Sequence, residues 1–169
     1  QAQTVAAATA DYRPTDPQIA FHLGRFIEQT RSIPADAIIV RQNWLRAYEF
    51  TTDRGAAALN DYARANDPFT KVSRVAVAVE VSSVIRASND SFRVAWTERH
   101  YENGQLSTTE RWTAILTIVI QPPRNAERLR ANPLGIYAPT AGGSAPGAGG
   151  QQEGAWSQES GASGDYRRL

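Results

Sequence analysis

Chemistry would have to come from few residues. The 169-residue chain has two histidines, His22 and His100, and no cysteine, which excludes thiolate nucleophiles, disulfides and sulfur-ligated metals. Glu98, Glu102 and Glu110 fall toward one end of a hairpin, where paired carboxylates can divide acid and base roles if their surroundings push their pKa values apart. Cross-strand pairing with Arg99 or Arg111 explains the same residues without any reaction, at roughly 0.2–1 kcal/mol per pair. His22 sits between the stripe positions of a helix and His100 late in a strand near a turn; both are read as structural, and no metal or cofactor is expected. A Gly-rich phosphate loop, a Ser-centred elbow and zinc-ligand spacing are all missing from the sequence.

The elements that must position these side chains centre on Phe92–Gln121. Phe92, Val94 and Trp96 alternate with Arg93, Ala95 and Thr97, the period of a half-buried strand. A second strand follows Asn103-Gly104, a pair that tolerates the positive φ of a type I′ hairpin turn. Its far half, Trp112–Ile120, is almost wholly apolar and is expected to be covered on both faces. A preceding strand over Lys71–Ala87, with Val75, Val77, Val79 and Val81 on one side, completes a three-stranded meander.

Three helices come before it. Thr15-Asp16-Pro17 starts the first, with Ile19, Leu23, Phe26, Ile27 and Thr30 as its inward stripe. Asp36 caps a second, through about Phe50, burying Ile38, Leu45 and Tyr48 or else Ile39, Trp44 and Tyr48; Ala37–Val40 alternatively forms an edge strand. Thr52 or Asp53 caps a third, with Leu59, Tyr62 and Ala63 inside, ending near Asn66 before Pro68. A brief helix is expected over Arg124–Arg130. Trp44, Trp96 and Trp112 lie within elements and read as core, whereas Trp156 lies alone in the tail. Helices first and strands later give an α+β class, helices packed on one face of a curved antiparallel sheet.

Residues 1–13 read as a flexible tether, 14–138 as one domain, and 139–169, rich in Gly, Ala and Ser, as a disordered tail. The net charge of +1 supplies no steering field for nucleic acid or anionic lipid. The longest apolar run, Ala114–Ile120, is far short of the ~20 residues that span a bilayer as a helix. The chain begins at Gln1 and lacks methionine, so a longer precursor carrying an initiator and an anchor is expected.

The phrase RQNWLRAYEFTTDRGAAALNDYARANDPF, followed by YENG, TERWTAILTIVIQPPR and NPLGIYA, resembles the TrbF-like conjugal transfer proteins, periplasm-facing inner-membrane assembly factors of type IV secretion systems. The likeness runs from about Tyr12 to Ala138. It implies a nuclear-transport-factor-two-like roll acting as a non-enzymatic scaffold, held at the inner membrane by a helix outside this chain. It further implies weak self-association, contacts with other inner- and outer-membrane channel subunits, and no cofactor or small molecule. The family's Asn-Pro-x-Gly motif falls on Asn132, Pro133, Leu134 and Gly135, where proline fixes one φ and glycine accepts a positive one, directing the candidate contact residues Ile136 and Tyr137.

Two other function classes make distinct demands. An isomerase- or dehydratase-like enzyme of this fold would bring His100 and a carboxylate together in a polar chamber. Contact with single-stranded DNA would need aromatic and basic groups on one groove, and Arg74, Arg86, Arg93, Arg99 and Arg111 alternate between strand faces, which disfavours it.

Overall fold

The computed structural model describes residues 13–138 and the backbone of 156–159. The chain runs α1 (Asp16–Arg31), α2 (Ala37–Glu49), α3 (Asp53–Asn66), α4 (Pro68–Lys71), β1 (Val75–Arg86), β2 (Ser91–Glu102), β3 (Gln105–Thr117), β4 (Val119–Ile120), α5 (Ala126–Ala131), β5 (Ile136–Tyr137) and β6 (Trp156–Glu159). The tether over residues 1–12 and most of the tail fall outside the described residues.

The helix starts follow the capping chemistry. Asp36 Oδ1 accepts from the Ile38 amide at 2.7 Å and Thr52 Oγ1 from the Gly55 amide at 3.2 Å, while the Gln18 side chain reaches back to the Thr15 amide at 2.9 Å. Residues 37–40 are therefore helix rather than edge strand. The α1 stripe is buried as its spacing requires, Ile19, Leu23, Phe26, Ile27 and Thr30 all facing inward. In α2 the buried positions are Val40, Trp44 and Ala47. Ile38, Leu45 and Ile39, expected inside, are 66%, 56% and 45% exposed. The i, i+4, i+7 set that includes Ala47 faces α1, and the bulkier apolar residues on the other side are left in solvent.

The antiparallel sheet has the order β1-β2-β3-β6, and β4 pairs with β5 as a separate ribbon. Asn103 and Gly104 both have positive φ, 51° and 78°, as a type I′ turn requires. One sheet face carries Val77, Val79 and Val81 of β1, Phe92, Val94, Trp96, Glu98 and His100 of β2, and Glu110, Trp112, Ala114 and Leu116 of β3, set side by side by the register. A bulge between Val81 and Ser83 shifts the alternation of β1, so Val84 and Arg86 follow onto that face. The covering expected over both faces of β3 is incomplete: Leu116 is fully buried, but Ile115 is 48% exposed because the helices cover only one side. Within the segment read as disordered tail, Trp156–Glu159 departs from that reading and runs as a strand against Arg111–Ala114.

The core gathers α1, α2 and α3 against the inner sheet face, with Trp96, Phe92, Leu23, Ile27 and Leu116 its largest fully buried side chains. Isolated bridges tie Ile33 to Val77 and Thr51 to Ala138, pinning the ends of α1 and α2 to the strands. Among the described residues no helix is long and apolar enough to cross a membrane.

His22 packs edge-on against Phe50, with ring centroids 5.3 Å apart, and burial holds its imidazole below the ordinary value of 6.5. The unfolded chain binds that proton more readily, so the stabilisation is complete above pH 6.5 and is lost as pH falls through the lower folded value. Chemical denaturation between about pH 7.5 and 5 should show a steeper loss of stability in the wild type than in His22→Gln. Equal slopes would remove His22 as the cause.

Candidate functional site

Two local arrangements are built around buried polar side chains, Glu98 in one and Asn132 in the other. The first lies on the inner sheet face near the closed end of the β2–β3 hairpin. The register sets Trp96 opposite Trp112 and Glu98 opposite Glu110, and His100 follows two residues on from Glu98 along β2. The last residue of α1, Arg31, reaches into this group. Its Nε donates to Glu98 Oε1 at 2.6 Å, with only 9% and 4% of the two side chains exposed. Trp96 Nε1 donates to the same oxygen at 2.8 Å, and Arg31 Nη1 donates to the Tyr62 hydroxyl of α3 at 2.7 Å.

The guanidinium lies 4.5 Å from the Trp112 ring centroid and 5.7 Å from that of Trp96, beside two indoles stacked within 11° of parallel. Burial raises the Tyr62 phenol above its ordinary pKa, so it stays neutral beside the ion pair. His100 Nε2 approaches Glu98 Oε2 at 3.3 Å and Glu110 Oε2 at 3.6 Å, and Trp112 Nε1 donates to Glu110 Oε2 at 3.2 Å.

Of the three carboxylates picked out by spacing, the fold thus unites Glu98 and Glu110 with His100. Glu102 is exposed at the turn, beyond a bulge at His100/Tyr101 that breaks the alternation. The expected pairing of these carboxylates with Arg99 or Arg111 does not form. Arg99 is on the opposite face, where it meets Glu80 at 2.8 Å, and the partner of Glu98 comes from a helix. Sequence reasoning missed Arg31, although a signal was present: Leu23, Ile27 and Arg31 continue one i, i+4 row.

The second arrangement is the Asn132–Gly135 turn. Asn132 is buried and clasps the backbone of Ile136 twice, its Nδ2 donating to the carbonyl at 2.7 Å and its Oδ1 accepting from the amide at 3.2 Å. Pro133 is exposed and Leu134 half-buried, while Gly135 closes the turn at φ +60° with its amide on the Asn132 carbonyl. Ile136 and Tyr137 are buried, paired with Ile120 and Val119. Beside the turn an open groove of about 670 Å³ runs between the α2–α3 junction and α5, lined by Glu49, Asp53, Glu127, Arg128 and Tyr137 among others.

Each arrangement makes a stability prediction. A Cβ on Gly135 would lie 2.0 Å from the Gln121 carbonyl oxygen at a φ that L-residues avoid, so Gly135→Ala should cost more than about 1 kcal/mol in urea unfolding. An unchanged midpoint would show that the turn relaxes freely. Glu98→Gln leaves the buried Arg31 without its carboxylate and should cost roughly 3 kcal/mol, measured in the same way; a loss below about 1 kcal/mol would mean the pair behaves as a surface one.

Comparison with known proteins places this architecture. A model of the VirB8 protein family matches residues 1–140. The conjugal transfer protein TrbF of Rhizobium radiobacter is 34% identical over 126 residues, covering 72% of this chain and 57% of that protein. The chain therefore spans a little over half the length of that relative. Among solved structures, the VirB8 protein of Agrobacterium tumefaciens superposes with a TM-score of 0.61 at 12% identity, covering 76% of this chain and 92% of that one. A TrwG component of type IV secretion from Bartonella birtlesii gives 0.59 at 16% identity, covering 71% and 85%. At such identities the structural likeness is one of fold, the α+β roll of helices on a curved antiparallel sheet. With the family model matched over residues 1–140, most of the chain, the chain belongs to the VirB8 family.

Proposed function

We propose that this domain is a scaffold of a conjugative type IV secretion channel: the periplasmic part of an inner-membrane protein that works through contacts with other copies and with other channel subunits, and catalyses no reaction. Family membership and the TrbF relative support the setting. The observation that carries the mode of action is where the apolar side chains stand. Trp96, Phe92, Leu23, Ile27 and Leu116 fill the space between helices and sheet at 2% exposure or less, while Ile38, Leu45 and Phe69 stand out on the helical side. A filled interior suits a rigid body that offers its surface, and exposed apolar groups on a helix suit docking.

The enzyme reading draws support from His100 lying beside two carboxylates. Its weakness is that Glu98 Oε1 already accepts from Arg31 and Trp96, and that stacked indoles take up the adjoining volume where a substrate would sit. In the scaffold reading the Asn132–Gly135 turn shapes the neighbouring groove, Ile136 acts by holding it, and Tyr137 also lines it.

Photo-crosslinking residues placed at Ile38, Leu45 and the groove-lining Glu127 in conjugating cells should capture a second copy of the chain and identified secretion-channel subunits. Ile38→Asp combined with Leu45→Asp should reduce plasmid transfer about tenfold or more, since losing apolar anchors of this size removes a few kcal/mol of association, with little change in the unfolding midpoint of the isolated domain. Full transfer by that double variant, with no channel subunit captured, would defeat the proposal.

A further inference from the structure

We propose that Glu98, His100 and Glu110 form a binding site for a divalent transition-metal ion of the zinc class, held between β2 and β3 at the hairpin end of the inner sheet face. One donor atom from each residue lies within 4.8 Å of the other two. A tetrahedral zinc ion, with nitrogen and oxygen ligands at about 2.0–2.2 Å, sets its donors about 3.3–3.6 Å apart. His100 Nε2 stands 3.3 Å from Glu98 Oε2 and 3.6 Å from Glu110 Oε2, so two edges of that tetrahedron are already drawn and the third need only close.

A second observation concerns the hydrogen bonding of the same ring nitrogen. His100 Nε2 is a buried ring nitrogen with no hydrogen-bond partner, although carboxylate oxygens lie within reach. Its neighbour is a carboxylate with only 4% of its side chain exposed, whose Oε1 takes both donors available to it. A buried polar atom without a partner costs about 1–3 kcal/mol, and a ring nitrogen set between two carboxylate oxygens is an arrangement that a cation satisfies. Among the described residues, the two carboxylates stand beside a single guanidinium, that of Arg31 on Glu98.

The surroundings are those of oriented ligands. Arg31 and Trp96 fix Glu98 through the oxygen turned away from His100, and Trp112 fixes Glu110, which is how outer hydrogen bonds hold metal ligands in place. The donor set, one imidazole and two carboxylates, suits zinc and its first-row neighbours, and three protein ligands leave a fourth position to solvent. Side chains of His100 and Glu110 are 26% and 30% exposed, so an ion can enter from outside.

The test uses the tag-free chain, stripped with chelator, then titrated with zinc chloride and separately with cobalt(II). Zinc should raise the thermal unfolding midpoint, and cobalt(II) should give the visible d–d bands of a tetrahedral complex, both reversed by chelator. His22→Gln, which alters the other histidine, should keep both responses; His100→Gln should abolish them, and Glu110→Gln should weaken affinity at least about tenfold. Absence of a metal-dependent shift and bands in the wild type, or the same response in His100→Gln, overturns the proposal. Should His100→Gln fail to fold by circular dichroism, the part-exposed Glu110→Gln decides, and unchanged affinity there overturns it equally.

Discussion

The buried pair between Arg31 and Glu98 is the constraint on which the arrangement of helices and sheet depends. Taking both charges out of water costs several kcal/mol per ion, and only their mutual contact, with the added bonds to Trp96 and Tyr62, offsets this. The pair therefore tolerates little displacement. Sliding α1 along the sheet by one turn, about 5.4 Å, would strand both charges, and slipping β2 by one residue would turn Glu98 onto the outer face. Apolar packing alone admits neighbouring registers; a buried ion pair between the last residue of α1 and the middle of β2 admits one.

That pair also explains which parts of the structure were legible in the sequence. Caps at Asp36 and Thr52, the Asn103-Gly104 turn, the α1 stripe and the alternation of β2 are local signals, written in side-chain chemistry and spacing. What failed is what depends on a partner. The face of α2 was ambiguous because Ile38, Ile39 and Leu45 are as apolar as Val40 and Trp44, and only the position of α1 decides between them. The second half of β1 changed face at a bulge that no residue type announces. Glu98, Glu110 and His100 stood out as candidates, but their partner lay 67 positions back in the chain from Glu98, and a strand-to-strand pairing was the nearer guess. Yet two apolar periodicities, one of 3.6 and one of 2, each end on a charge of opposite sign, and such a coincidence is readable as a contact.

The Asn132–Gly135 turn acts at the other end of the molecule by a different means. No charge is involved: a buried amide side chain copies the hydrogen bonds of a strand neighbour on both sides of Ile136, and a glycine passes where a methyl group would meet the Gln121 carbonyl. The result holds β5 on β4 and carries Ala138 to Phe50, where its amide donates to that carbonyl at 2.8 Å. A two-residue ribbon has little cooperativity of its own. Its position must come from this clasp, which is why the motif residues lie inside and the groove they shape lies outside.

Rigidity at both ends suits a body that transmits contacts. Loss of either clasp would free an element whose outer surface bears exposed residues, α1 and α2 at one end and α5 at the other, so surface behaviour is tied to burial beneath it. The inner face of the hairpin is where these demands meet. Stacked indoles close the space, the guanidinium neutralises one carboxylate, and the remaining carboxylate and the imidazole stand at the rim. A bound cation there would join β2 to β3 near the turn, through the second oxygen of the carboxylate that Arg31 already holds.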